Sequence, residues 1–140
     1  MLVKQFRTGY EAKSYLFILK KYYDKKIENQ FESFETRGVE YGYILNEATE
    51  EIHDIEKIDF KELLEYKIRY SEDDLSFLEE NNDKLKGGTI KFKLTDEASD
   101  KIDAITQMLS KKWNMRLYRA FSVKLILKYL YVRKIEKKDF

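Results

Sequence analysis

The stretch 116–133 constrains this chain more than any other. Leu117, Ala120, Phe121, Val123, Leu125, Ile126, Leu127, Leu130 and Val132 lie in it, together with Tyr118, Tyr129 and Tyr131. Only Arg116, Arg119, Lys124, Lys128 and Arg133, with Ser122, accompany them. A helix this apolar is buried on most sides. The last part of the chain, 89–140, has 52 residues and cannot bury such a helix alone. The covering surface must come from the first part of the chain or from a second copy. With 140 residues, 43% of them hydrophobic, there is material for one domain-sized core.

Several chemistries lack their parts. Without cysteine there is no disulfide frame, thiolate metal site or thiol nucleophile, which fits a cytoplasmic location. The first residues lack the apolar core of a signal peptide, and no apolar run reaches membrane-span length. His53 is the sole histidine. Glu50 and His53 form a Glu-x-x-His step, read as one helix face, but a paired-metal bundle needs two such steps. No nucleophile elbow or glycine-rich phosphate loop is present. The chain is expected to be no enzyme, with no catalytic residues, metal or cofactor.

Residues 10–29 read as a helix, with Tyr15, Leu16, Leu19, Tyr22, Tyr23 and Ile27 on one side and Lys20, Lys21, Lys25 and Lys26 on the other. In 31–45 the period drops to two, and the turn signal Thr36-Arg37-Gly38 predicts a short β-hairpin. Asn46 and Thr49 are N-cap candidates for one or two helices over 47–69. Ser71 and Asp74 form a capping pair for another. The polar stretch 79–88 reads as a linker between a mostly helical part, 1–86, and a last part, 89–140, although the two can also form a single domain. The tail 136–140 is expected to fray.

The last part opens on a two-faced strand. Ile90, Phe92 and Leu94 alternate with Thr89, Lys91 and Lys93, so one face is apolar and the other basic. Thr95 can cap the helix that follows, where Ala98, Ile102, Ile105, Leu109 and Trp113 make one stripe. Asn114 suits the helix end. The fold class expected is α+β, mainly helical, with the hairpin and a C-terminal strand–helix–helix unit.

Strand, helix, turn and helix over 89–132 resemble the ribbon-helix-helix family of DNA-binding proteins. In that family two chains pair their strands into a ribbon that enters the major groove. The resemblance implies a homodimer on double-stranded DNA. Thr89, Lys91 and Lys93 would face the groove, and Ile90, Phe92 and Leu94 would close the dimer core. Asn114, Arg116 and Arg119, with Lys111 and Lys112, would lie by the phosphates. The role implied is a repressor or an accessory factor of a plasmid or phage, with the first part free for a protein partner.

Charge segregation supports more than one reading. Residues 46–83 carry a net charge of −10 and residues 111–138 a net charge of +9. The acidic segment could present carboxylates to a basic cleft on a target protein, as an inhibitor or immunity protein would. It could also cover the basic segment within one α+β domain. Residues 89–94 would then be an edge strand beside the 31–45 hairpin, with Lys91 and Lys93 blunting the edge.

Overall fold

A computed structural model of the chain describes residues 1–30 and 40–140, and the side chains of 1–26 and 40–140. The fold is α+β and mainly helical. Strand β1 (Leu2–Arg7) leads into α1 (Tyr10–Gln30), followed by α2 (Tyr41–Glu51), a 3-10 turn (Ile55–Lys57), α3 (Phe60–Glu65), α4 (Glu72–Glu80) and α5 (Asn82–Leu85). Then come β2 (Thr89–Leu94), α6 (Asp96–Lys112) and α7 (Arg119–Lys134).

The apolar helix is the centre. Leu125, Ile126, Leu127, Leu130 and Val132 of α7 are fully buried. Burying each such side chain stabilises the fold by about 1.5–3 kcal/mol. α7 packs against α1, α2, α3 and α6, so the first part of the chain supplies its cover. Buried residues of 1–86 and 89–140 share one core, including Leu16 and Leu19 of α1, Ile44 and Leu45 of α2, and Ile102 and Ile105 of α6.

The sheet has two antiparallel strands, β1 and β2, in a register that pairs Leu2 with Leu94 and Arg7 with Thr89. Strand β2 therefore takes its partner from its own chain. Its apolar residues do not close a dimer core: Phe92 and Leu94 are buried in the chain's own interior, and the Phe92 ring packs 5.9 Å from that of Phe6. On the other side α2 packs against β2 at Lys93. A Cβ at Gly42 would lie 2.5 Å from the Lys93 carbonyl oxygen, so only glycine permits this approach. Asn46 fastens the same place: its Nδ2 donates to the Lys93 carbonyl (3.3 Å) and its Oδ1 accepts from the Thr95 amide (3.1 Å).

Other expectations change too. The second arm of the hairpin is the start of α2, where Ile44, Leu45, Ala48 and Ile52 form a buried stripe at helical spacing that outweighs the alternation of Tyr41, Tyr43 and Leu45. The first arm and the turn, 31–39, lie outside the described residues. Asn46 and Thr49 sit inside α2 rather than at an N-cap. His53 lies beyond the end of α2, so Glu50 and His53 do not share a helix face. The 79–88 linker contains the end of α4 and all of α5, pinned by the fully buried Leu85. The tail is held rather than frayed. Glu136 accepts from the Tyr66 hydroxyl, the Phe140 ring packs 5.2 Å from Tyr66, and the Phe140 carbonyl accepts from the Asp59 amide at 3.3 Å. The caps agree with expectation: Thr95 accepts from the Ala98 amide and Ser71 from the Asp74 amide, both at 3.1 Å, and Asn114 has φ +50°.

Helix C-termini leave carbonyls without partners in the helix. Lysines from distant elements satisfy three such ends. Lys101 Nζ donates to the Thr49 and Ile52 carbonyls at 2.9 and 2.6 Å, closing α2. Lys128 Nζ donates to the Leu64 and Tyr66 carbonyls at the end of α3. Lys13 Nζ donates to the Lys86 carbonyl after α5. Lys128 is almost wholly buried, and that desolvation pushes its ammonium pKa below the ordinary lysine value.

Candidate nucleic-acid interface

Strand pairing decides which side chains share the outer face of the ribbon. Phe6 on β1, with Phe92 and Leu94 on β2, anchors the inner face in the core. The alternate residues point outward: Val3, Gln5 and Arg7 from β1, and Thr89, Lys91 and Lys93 from β2. All six are exposed. Val3 lies opposite Lys93, Gln5 opposite Lys91, and Arg7 opposite Thr89. Gln5 Nε2 donates to Thr89 Oγ1 at 3.1 Å, which ties the two strands at their polar surface. Neither strand contains an acidic residue. The face thus offers three cations, an amide and a hydroxyl on a two-stranded scaffold.

The basic surface continues beyond the ribbon. A groove of about 420 Å³ lies beside it, between Val3, Lys91 and Lys93 on one side and Lys20, Tyr41 and Glu40 on the other. Lys20 belongs to the α1 face that also carries Lys21 and Lys25. Lys20 Nζ lies 2.8 Å from Asp24 and Lys21 Nζ lies 3.5 Å from Asp74. Asp96, Glu97 and Asp100, in and near the first turn of α6, are exposed at the end of β2 and limit the basic face there.

The expected site residues fall into two groups. Thr89, Lys91 and Lys93 come together on the ribbon, joined by Gln5 and Arg7. Lys111, Lys112, Asn114, Arg116 and Arg119 are exposed around the α6–α7 turn. The 17 residues of α6 carry the chain about 25 Å from Thr95 to that turn. Arg119 Nε is 3.0 Å from Asp103, and the Arg116 guanidinium lies over the Tyr118 ring at 5.6 Å. α7 begins at Arg119, three residues later than the apolar pattern implies.

Much of the +9 charge of 111–138 is engaged within the fold. Arg133 and Lys134 reach Glu51 at 3.0 and 3.6 Å, Lys124 lies 3.9 Å from Glu11, and Lys128 is on the α3 carbonyls. The acidic segment therefore covers part of the basic one. Sequence reasoning missed Gln5 and Arg7, because β1 has only one buried residue, Phe6, to mark it as a strand. The alternation of Val3, Gln5 and Arg7 was the available signal.

No protein-family model, curated protein or solved structure matches this chain.

Proposed function

We propose that the chain binds double-stranded DNA by laying the β1–β2 ribbon in the major groove. The observation that carries this reading is the exposed, acid-free ribbon face with Gln5, Arg7, Thr89, Lys91 and Lys93 side by side. The major groove admits a two-stranded ribbon. Arginine and glutamine pair with guanine and adenine edges there, while lysines, Lys91 and Lys93 among them, displace counterions from the phosphates. Among the described residues the order strand–helix–helix occurs twice, as β1–α1–α2 and β2–α6–α7. The strand that the ribbon-helix-helix resemblance takes from a second chain is thus supplied by β1. A homodimer of this chain would carry two ribbons rather than share one. The α6–α7 turn adds backbone contacts. The biological role is occupancy of a site, as a repressor or an accessory factor of a plasmid or phage.

The test is an electrophoretic shift with duplex DNA across a salt series. Affinity should fall steeply as salt rises, and Lys91→Ala with Lys93→Ala should flatten the log–log slope by about 2. Retention of full affinity in that double variant would break the ribbon assignment.

One observation favours a second reading. Leu75 on α4 is 50% exposed and stands at helical spacing from the exposed Glu72 and Glu79. An apolar anchor within a carboxylate rim suits a basic protein partner, as in an inhibitor or immunity protein. A chain indifferent to DNA at low salt would favour it.

A further inference from the structure

We infer that the cleft between α1, α2 and α4 is a binding site for a mononucleotide. The cleft is about 510 Å³, within the range of small-molecule sites. Its apolar lining is three half-buried rings, Phe17, Tyr41 and Phe77. The Phe17 and Tyr41 rings stack on each other, their planes 8° apart with centroids at 6.0 Å, and Lys21 Nζ sits 5.0 Å over the Phe77 ring, so the lining already holds both ring–ring and ring–cation contacts.

The rim has the opposite character. Lys20, Lys21 and Lys25 of α1 line it on one side and Lys84 of α5 on the other. Asp24 is a carboxylate of the lining, 2.8 Å from Lys20, and Asp74 stands behind Lys21. Among the described residues, these four lysines outnumber the two carboxylates, and Lys25 and Lys84 are both exposed. Asn81 adds a fixed amide, its Nδ2 held on the Phe77 carbonyl at 2.8 Å.

Rings and cations ask for different things. A neutral flat ring would leave the lysines unused, and a simple anion would leave the rings unused. A heteroaromatic base joined to a phosphate uses both: the base stacks, and the phosphate takes the lysine rim. This inference is independent of the ribbon, although Lys20 and Tyr41 also line the groove beside it, so an occupant would border the proposed DNA face.

Titration calorimetry of the full chain with adenosine and guanosine 5′-monophosphates tests the site. Adenosine, guanosine and inorganic phosphate serve as controls. At least one nucleotide should bind one per chain, more tightly than its nucleoside or phosphate alone. Phe77→Ala should weaken it about tenfold. Lys84→Glu, at an exposed position that leaves the core untouched, should weaken it by a similar factor. Lys91→Ala with Lys93→Ala should not change it. Inorganic phosphate binding as tightly as either nucleotide would reduce the cleft to an anion patch. That result, failure of both nucleotides at millimolar concentration, or an unmoved Lys84→Glu variant would overturn the assignment.

Discussion

Lys91 and Lys93 on β2 and Lys128 on α7 belong to stretches of similar basic character, yet the fold uses them in opposite ways. The two β2 lysines stand on the outer face of a ribbon whose inner face is core. Lys128 is turned inward, where it ties the Leu64 and Tyr66 carbonyls to the central helix. Lys101 does the same for α2. A charge-rich segment is therefore not one kind of surface. In β2 the period of two delivers every cation to one side. In α7 the apolar stripe is so wide that a lysine must either find carbonyls inside the protein or pair with acids at its margin.

The largest effect expected at the inward end of this comparison is alkaline unfolding. Burial, the main cause, raises the phenol pKa values of Tyr15, Tyr70 and Tyr131 well above the ordinary value, as it does for Tyr23. Unfolded tyrosines ionise near pH 10, while these stay protonated in the native state. The unfolded chain then binds fewer protons, so stability falls as pH rises above about 10. Lys128 opposes this slightly. Its pKa is lowered, so its contribution rises with pH between its folded value and the ordinary lysine value. The tyrosines outnumber it, and absorbance at 295 nm should show them ionising together with the loss of helical circular dichroism. Gradual ionisation within an intact fold would break the claim that they are sealed.

Next in size is Lys128→Ala. It strips two carbonyls of their partner and leaves a cavity, at a cost of about 2–4 kcal/mol in urea denaturation. A change below ~0.5 kcal/mol would place Lys128 with the outward lysines. The smallest effect belongs to Lys111→Ala with Lys112→Ala at the α6–α7 turn. Stability should stay within about 0.5 kcal/mol, and the DNA salt slope should drop by less than ~1. A larger drop there than in the Lys91/Lys93 pair would move the interface from the ribbon to the turn.

Where one local signal sufficed, the fold was legible in the sequence. The stripes of α1, α6 and α7, the caps at Ser71 and Thr95 and the two faces of β2 needed no distant partner to be read. Elements that depend on distant partners were not. β1 is a strand because β2 lies beside it, and Lys4 on its inward side blurs the alternation. In α2, Tyr41, Tyr43 and Leu45 satisfy period two while Ile44, Leu45 and Ala48 satisfy period 3.6, and only the packing of α2 on α7 and β2 decides between them. The ribbon's second strand and the aromatic cleft have the same origin. Each joins residues from elements far apart in the chain, and no spacing rule reports that.

The register of the ribbon also bears on how the chain is made. Leu2 waits for Leu94. Closing so long a loop is slow, and non-local strand pairing is the late event in folding. A nascent chain halted before β2 would own Gln5 and Arg7 but no surface to display them on. The proposed binding face is thus assembled only after α1 to α5 have been synthesised, so prematurely ended chains would not compete for the same target.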